Sequence, residues 1–382
     1  MLLTLNDYRS AARKRLPRPL YGYVAGASET GAAEEDNEAV FREIRLVPKV
    51  LRGVEGRTSQ QTLLGQTWSA PFGIAPMGIA ALMALDGDRE MARAGADATI
   101  PYVLSGSSLT PMEQVIEANP EAWFQAYLPG EVARIEALIT RVRLAGFKTL
   151  VLTADTAVLA NRENNVRAGF STPLRMTPRM LLDFGRCPRW VFGCFARTLL
   201  RSGVPHFENS YAERGAPIVS KNAVRDFGRK DHLNWEHVDL IRHLWPGKLV
   251  LKGLLAAQDV ALAREHGCDG VILSNHGGRQ LDFAIAGVRA LADARKVAGD
   301  MALMVDGGIR RGTDVIKALA MGADFVFVGR PLLFAASIGG RQSVTEAINI
   351  LRLEVHRDLG LLGLNGLEEV DKSILCTTAE HC

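Results

Sequence analysis

The sequence predicts a (β/α)8 barrel with a long insertion after the fourth strand. Three observations predict it: a beat of strand-like runs, polar residues at the ends of those runs, and one outsized gap. Apolar runs end near Pro76, Ser105, Tyr127, Thr153, Lys252, Ser274, Asp306 and Gly329. A helix-like stretch follows each run. Most intervals are roughly 22 to 32 residues, about what one strand and one crossover helix occupy. A doubly wound open sheet also alternates strand and helix, but it concentrates its site at one crevice. Here nearly every run finishes on a polar residue or glycine, as expected where all the strand ends face one site.

Ahead of the barrel, Thr4 and Asp7 form a capping-box pattern that opens a short helix. The gap from Thr153 to Lys252 is about 99 residues, roughly 70 more than one helix needs. It places an insertion at about 165–235 within a single domain spanning 1–382. From Ser171 to Gly203 there are six arginines (175, 179, 186, 189, 197 and 201) against one acid, Asp183. At helical spacing Arg189, Arg197 and Arg201 share one side, while Val191, Phe192, Phe195 and Leu199 cluster on another with Trp190 at their edge. Such a segment reads either as a basic amphipathic helix lying in a membrane surface or as a lid that shows its arginines to water.

With 382 residues, 47% of them hydrophobic, and a formal charge of +3, the chain is globular and gives no reason to expect a nucleic-acid partner. Met1 to Pro17 lacks the apolar run of a signal peptide. The longest uncharged stretch, Phe72 to Leu85, is too short to span a bilayer, and no transmembrane helix is predicted. Cys187, Cys194, Cys268, Cys376 and Cys382 form no metal-ligand spacing, and reduced thiols in a cytosolic setting are expected.

The most informative stretch is Ser274-Asn275-His276-Gly277-Gly278-Arg279-Gln280-Leu281-Asp282. It places an imidazole and a guanidinium three residues apart where a buried strand empties into a loop. The first can take a proton near neutral pH and the second can clamp a carboxylate. Asp306-Gly307-Gly308 with Arg310 follows the seventh run, and Gly329-Arg330 the eighth. Loops in those two places are the usual phosphate site of this architecture. Lys252 finishes a buried run and needs a negative partner. Gln125, Tyr127, Thr153 and Asp155 complete a polar rim suited to a planar ligand. Arg162 is either a second carboxylate clamp or a surface arginine. His232, His237 and His243 lack helical metal spacing, and no metal is predicted.

With these motifs in place, the chain resembles the FMN-dependent 2-hydroxy acid dehydrogenases and oxidases, from about Leu5 to Gly340. The signature Ser274–Asp282 carries the resemblance, joined by Pro19-Leu20-Tyr21-Gly22-Tyr23, Phe124-Gln125-Ala126-Tyr127, Leu152-Thr153-Ala154-Asp155, Val250-Leu251-Lys252-Gly253 and the stretch from Asp306 to Asp314. It implies that His276 accepts the substrate proton beside Asp155, and that Arg279, Arg162, Tyr21 and Tyr127 hold the substrate carboxylate. It further implies that Lys252 faces the pyrimidine end of the flavin and stabilises negative charge there. Ser105, Gln125 and Thr153 would bond the isoalloxazine, with the backbone of Pro76, Met77 and Gly78 near its reactive nitrogen and Ser274 alongside. Asp306, Gly307, Gly308, Arg310, Gly329 and Arg330 would line the phosphate end.

The implied reaction is oxidation of an (S)-2-hydroxy acid, mandelate-like or lactate-like, with electrons passed to membrane quinone. A homotetramer resting on the inner face of the cell membrane is expected. A soluble oxidase that reduces oxygen to hydrogen peroxide is the alternative, and a phosphate-binding isomerase or lyase barrel a remote one. The sequence departs from many relatives at Met77, where a small or polar residue is common; its backbone is expected to keep the flavin contact while its side chain points elsewhere. Gly78 and Ser107 replace the alanine and bulky aromatic of relatives acting on small acids. Smaller walls favour an aromatic or long-chain substrate.

Overall fold

A computed structural model describes residues 1–171, 173–175, 177–220 and 230–377. Thr172, Met176, the 221–229 part of the predicted insertion and Cys382 lie outside the described residues. Eight parallel strands form one sheet: β1 (Phe72–Ile74), β2 (Val103–Ser105), β3 (Trp123–Ala126), β4 (Thr149–Thr153), β5 (Lys248–Leu254), β6 (Gly270–Leu273), β7 (Ala302–Asp306) and β8 (Phe325–Val328). They run in sequential order, with β8 paired to β1. A single parallel bridge, Ile74 to Tyr102, joins β1 to the start of β2 and nearly closes the barrel. The strands end within about two residues of the positions expected from the apolar runs.

Side-chain alternation along these strands builds the site. Val103, Trp123, Val151, Val250, Ile272 and Met304 point inward and form an apolar layer with Phe325 and Phe327. Leu63 and Trp68, from an antiparallel hairpin (Gln61–Leu63 with Gln66–Trp68), join that layer. Two residues further along each strand, the inward positions are Ser105, Gln125, Thr153, Lys252, Ser274 and Asp306. The barrel interior therefore changes from dry to polar within one pleat.

The Thr4–Asp7 capping box is present, with Thr4 Oγ1 accepting from the Asp7 amide and Asp7 returning the bond. The helix Arg18–Ala25 then crosses toward the barrel mouth. The segment Arg330–Leu362 is two helices joined at a kink where Gly339 and Gly340 leave helical geometry. Cys187, Cys194 and Cys268 are free thiols, but Cys376 in the last strand is disulfide-bonded, so the expectation of fully reduced cysteines needs correction.

Between β4 and β5 the predicted amphipathic helix is broken into pieces: Pro178–Gly185, Pro188–Trp190, a π-helical turn Val191–Phe195, and Ala196–Ser202. Prolines at 178 and 188 start two of them. Trp190 is buried, not at the edge of an exposed face; its Nε1 donates to Leu82 O at 2.8 Å and Phe195 stacks on it. The apolar residues that face outward are Leu181, Leu182, Phe192, Leu199 and Leu200, and all six arginines are exposed with them. No helix among the described residues is long and apolar enough to cross a membrane.

Candidate active site

One cavity at the C-terminal mouth gathers most of the predicted site residues. At its floor Lys252, 4% exposed, donates to Asp306 Oδ2 at 2.6 Å and to Ser274 Oγ at 2.7 Å. This is the negative partner that a buried lysine requires, and removing either member of such a pair typically costs ~3–5 kcal/mol. Ser274 also accepts from the His276 amide at 2.9 Å, so one hydroxyl fixes both the lysine and the start of the signature loop.

His276 has φ of +58° and is followed by two glycines also at positive φ. A histidine held in this conformation is the kind of backbone strain found at functional turns. Its Nδ1 lies 3.0 Å from Asp155 Oδ1, and its Nε2 is 3.4 Å from the Tyr127 hydroxyl on the cavity side. Asp155 can come this close because β5 carries a bulge at Gly253 (φ +101°), where a Cβ would lie 2.6 Å from Asp155 Cγ. Burial pushes the imidazole down, Asp155 pulls it up, and Lys252 and Arg162 reinforce burial, so its pKa lies below the ordinary value. For Asp155, burial raises the pKa but His276 and Lys252 outweigh it, keeping the carboxyl below its usual value. A neutral base with an ionised orienting partner results.

Arg279 is anchored by Nη1 to the carbonyls of Tyr23 and Gly26, at 2.7 and 2.6 Å, and its guanidinium lies over the Tyr23 ring. Burial, with Arg162 and Arg330 nearby, pushes it down to about 9. A bound anion would relieve that strain. Arg162 donates from Nε to Arg279 O and from Nη2 to Gln280 Oε1, while Gln280 Nε2 donates to Asp155 O at 2.8 Å. Arg162 is thus a cavity residue rather than a surface one, and Gln280, given no role from the sequence, ties it to Asp155.

Tyr21 requires correction. It stacks on Phe334 and partners Arg9 outside the cavity, whereas Tyr23 lines the cavity. Two residues apart on one helix, these rings face nearly opposite ways. Val158 and Leu159, also unassigned from the sequence, line the mouth. The Met77 side chain runs toward Gly329, where a Cβ would lie 3.7 Å from its sulfur.

Whether these residues fit FMN can be tested on their unmet bonding. Gln125 Nε2, Thr153 Oγ1 and Asp306 Oδ1 are buried without a hydrogen-bond partner, and all three residues line the cavity. Ser105 Oγ donates to Gln125 Oε1 at 3.1 Å, which directs the orphaned amide nitrogen. Ser105 and Ser274 themselves sit behind the lining. Buried donors and acceptors left open in this way await a polar planar ligand. At the other end Gly307 and Gly308 have positive φ, and a Cβ on Gly308 would fall 1.8 Å from Asn37 O. Arg310 and Arg330 flank them, paired to Glu38 at 2.8 Å and Glu34 at 3.6 Å, and Gly329 caps the helix that Arg330 begins. Glycine backbone, two arginines and a helix N-terminus suit a phosphate. The residues fit the cofactor.

Comparison with known proteins agrees with this geometry. The chain is 36% identical to (S)-mandelate dehydrogenase of Pseudomonas putida over 364 residues, 95% of this chain and 91% of that one. It is 33% identical to 2-hydroxyacid oxidase 2 of Homo sapiens, with 98% of each chain covered. The crystal structure of the monotopic membrane protein (S)-mandelate dehydrogenase superimposes with a TM-score of 0.89 at 34% identity, over 98% of this chain and 99% of that one. The model of the FMN-dependent dehydrogenases matches residues 12–377, and the chain belongs to that family.

Proposed function

We propose that this protein is a single FMN-binding domain that oxidises an (S)-2-hydroxy acid to the 2-oxo acid and passes the electrons to a membrane quinone. The observation that carries the reading is His276: Nδ1 is held by Asp155 while Nε2 faces a cavity whose other wall holds Arg279 and Arg162. The substrate carboxylate is held by those two arginines with Tyr23 and Tyr127. This puts the hydroxyl-bearing carbon beside Nε2, which takes a substrate proton and, as imidazolium, is stabilised by Asp155. FMN, when bound, accepts the two electrons that leave the substrate. Lys252, Gln125, Thr153 and the backbone at Pro76–Gly78 hold its ring, and Gly308, Arg310, Gly329 and Arg330 its phosphate. Gly78 and Ser107 leave room for an aromatic or long-chain substituent.

The membrane reading is supported by Phe192 and Leu200, 72% and 87% exposed, among six exposed arginines. That mixture suits an anionic lipid face on the cytoplasmic side. Leu281, Phe283 and Ile285 are exposed beside the signature loop and offer apolar surface for a homo-oligomer. The second reading, an oxidase, draws on the match to 2-hydroxyacid oxidase 2.

Stopped-flow mixing of substrate-reduced enzyme with oxygen or with a soluble quinone separates the two. Quinone should reoxidise the flavin much faster than oxygen. Rapid oxygen reoxidation with stoichiometric peroxide would remove the dehydrogenase reading. Membrane contact is tested by changing Leu181, Leu182, Phe192 and Leu200 to serine, which spares Trp190 and its bond to Leu82. The variant should leave sedimented membranes for the supernatant with its flavin spectrum intact; continued sedimentation would contradict the assignment.

A further inference from the structure

The loop after β2 carries Ser107, and buried groups that do not line the cavity hold it from two sides. On one side Asp88 is fully buried at the start of the helix Gly87–Ala98. Its carboxylate accepts from Tyr102 Oη at 3.1 Å, Ser108 Oγ at 2.8 Å and Thr110 Oγ1 at 3.3 Å. These are hydroxyls only, and among the described residues it has no ion pair. A buried carboxylate without a cation is costly, and burial pushes this one up to about 6 against those three bonds. What it achieves is to tie the residue before β2 to two points on the loop after it.

On the other side stands Asn209, 1% exposed, within the insertion and past its helical pieces. Its Oδ1 accepts from the Met112 amide at 3.0 Å and its Nδ2 donates to Thr110 O at 2.8 Å. The Glu208 amide adds a bond to Ser108 O at 3.2 Å. Between these anchors the loop presents Ser107 to Gly78. The Ile79 amide donates to Ser107 O at 3.1 Å, and a Cβ on Gly78 would lie 2.9 Å from Ser107 Cβ. The two residues are thus in contact and form one wall of the cavity, whose position is inherited from where Asp88 and Asn209 place the loop.

We propose that Asp88 and Asn209 are positioning residues that set where the Gly78–Ser107 wall of the substrate side-chain recess stands, an inference that rests on the recess reading given under the proposed function. Since both hold the same loop, their effects should be coupled rather than additive.

The test uses the full-length, FMN-loaded enzyme with Asp88→Asn, Asn209→Ala and the double variant. Two readouts are taken: kcat/KM across glycolate, lactate, mandelate and a long-chain 2-hydroxy acid, and Kd of the matching 2-oxo acids from perturbation of the flavin absorbance. Each single variant should change the ratio of bulky to small acid by about tenfold in both readouts, the order expected for a reshaped apolar pocket. Flavin content should stay at the wild-type level. If a variant fails to fold, Ser108→Ala and Thr110→Val each remove one donor to Asp88 and should move the ratio the same way. Flavin-loaded variants that keep the wild-type ratio, or lose all acids in equal proportion, would overturn the proposal. The wild-type ranking judges the recess reading separately: a wild type that prefers glycolate removes that reading, while the change in ratio between variant and wild type decides the positioning role.

Discussion

His276→Ala should slow substrate-driven flavin reduction by ~10²–10⁴-fold, the usual worth of a positioned general base, with FMN still bound. The two halves of that expectation have separate structural sources. Removing the imidazole removes the ring that the Asp155 carboxylate orients toward the cavity. It leaves the Lys252–Asp306 pair, the open bonds of Gln125 and Thr153, and the glycine–arginine end untouched. Reduction followed by absorbance under nitrogen, together with the flavin-to-protein ratio, reads both. A variant that retains wild-type reduction rates would refute the assignment of the base.

The same geometry sets the sign of a pH dependence. A protonated His276 cannot take a proton, so kcat/KM should fall as pH falls through its pKa. Burial, aided by Lys252 and Arg162, holds that value below the ordinary 6.5. The acid limb should therefore have its midpoint below 6.5, with a plateau through neutral pH. Asp155 opposes the depression, so Asp155→Asn should move the midpoint lower still while reducing the plateau, because the imidazolium loses its partner. A midpoint that rises in that variant would contradict the pairing.

Much of this site was legible because a strand has a period of two. Once Val103, Trp123, Val151, Val250 and Met304 are read as buried, the residues two further on must point into the same barrel, and they are Ser105, Gln125, Thr153, Lys252 and Asp306. The signature loop follows directly from the sixth strand, so His276 and Arg279 were placed with it. The helix before the barrel was harder. Tyr21 and Tyr23 stand in one motif, and choosing between them requires knowing how the helix Arg18–Ala25 is rotated, which only its packing on Phe334 and Arg279 decides. The insertion was less legible again. Its charge excess was visible, but the burial of Trp190 depends on a carbonyl, Leu82 O, more than a hundred residues away. Asp88 is the extreme case: as an acid in the first turn of a helix it looks like ordinary dipole compensation, and only its three hydroxyl partners reveal another task.

Arg279→Met should lower kcat/KM for a 2-hydroxy acid by ~10²–10⁴-fold, the cost of taking one member from a buried, hydrogen-bonded charge pair. Arg279 spends Nη1 on two carbonyls and Arg162 spends Nε and Nη2 on the chain, so each arginine leaves part of its fork for a ligand. Arg279→Lys keeps the charge but not the planar fork, and cannot both anchor to Tyr23 and Gly26 and grip a carboxylate; a loss of ~10²-fold is expected. FMN should remain bound, since Arg310 and Arg330, not Arg279, are the arginines proposed to hold its phosphate. A 2-hydroxy amide distinguishes a clamp from a scaffold. Lacking the negative charge, it should be a poor substrate for the wild type and lose little further in the methionine variant. If the acid and the amide fell by the same factor, Arg279 would be holding the loop at Tyr23 and Gly26 rather than the substrate.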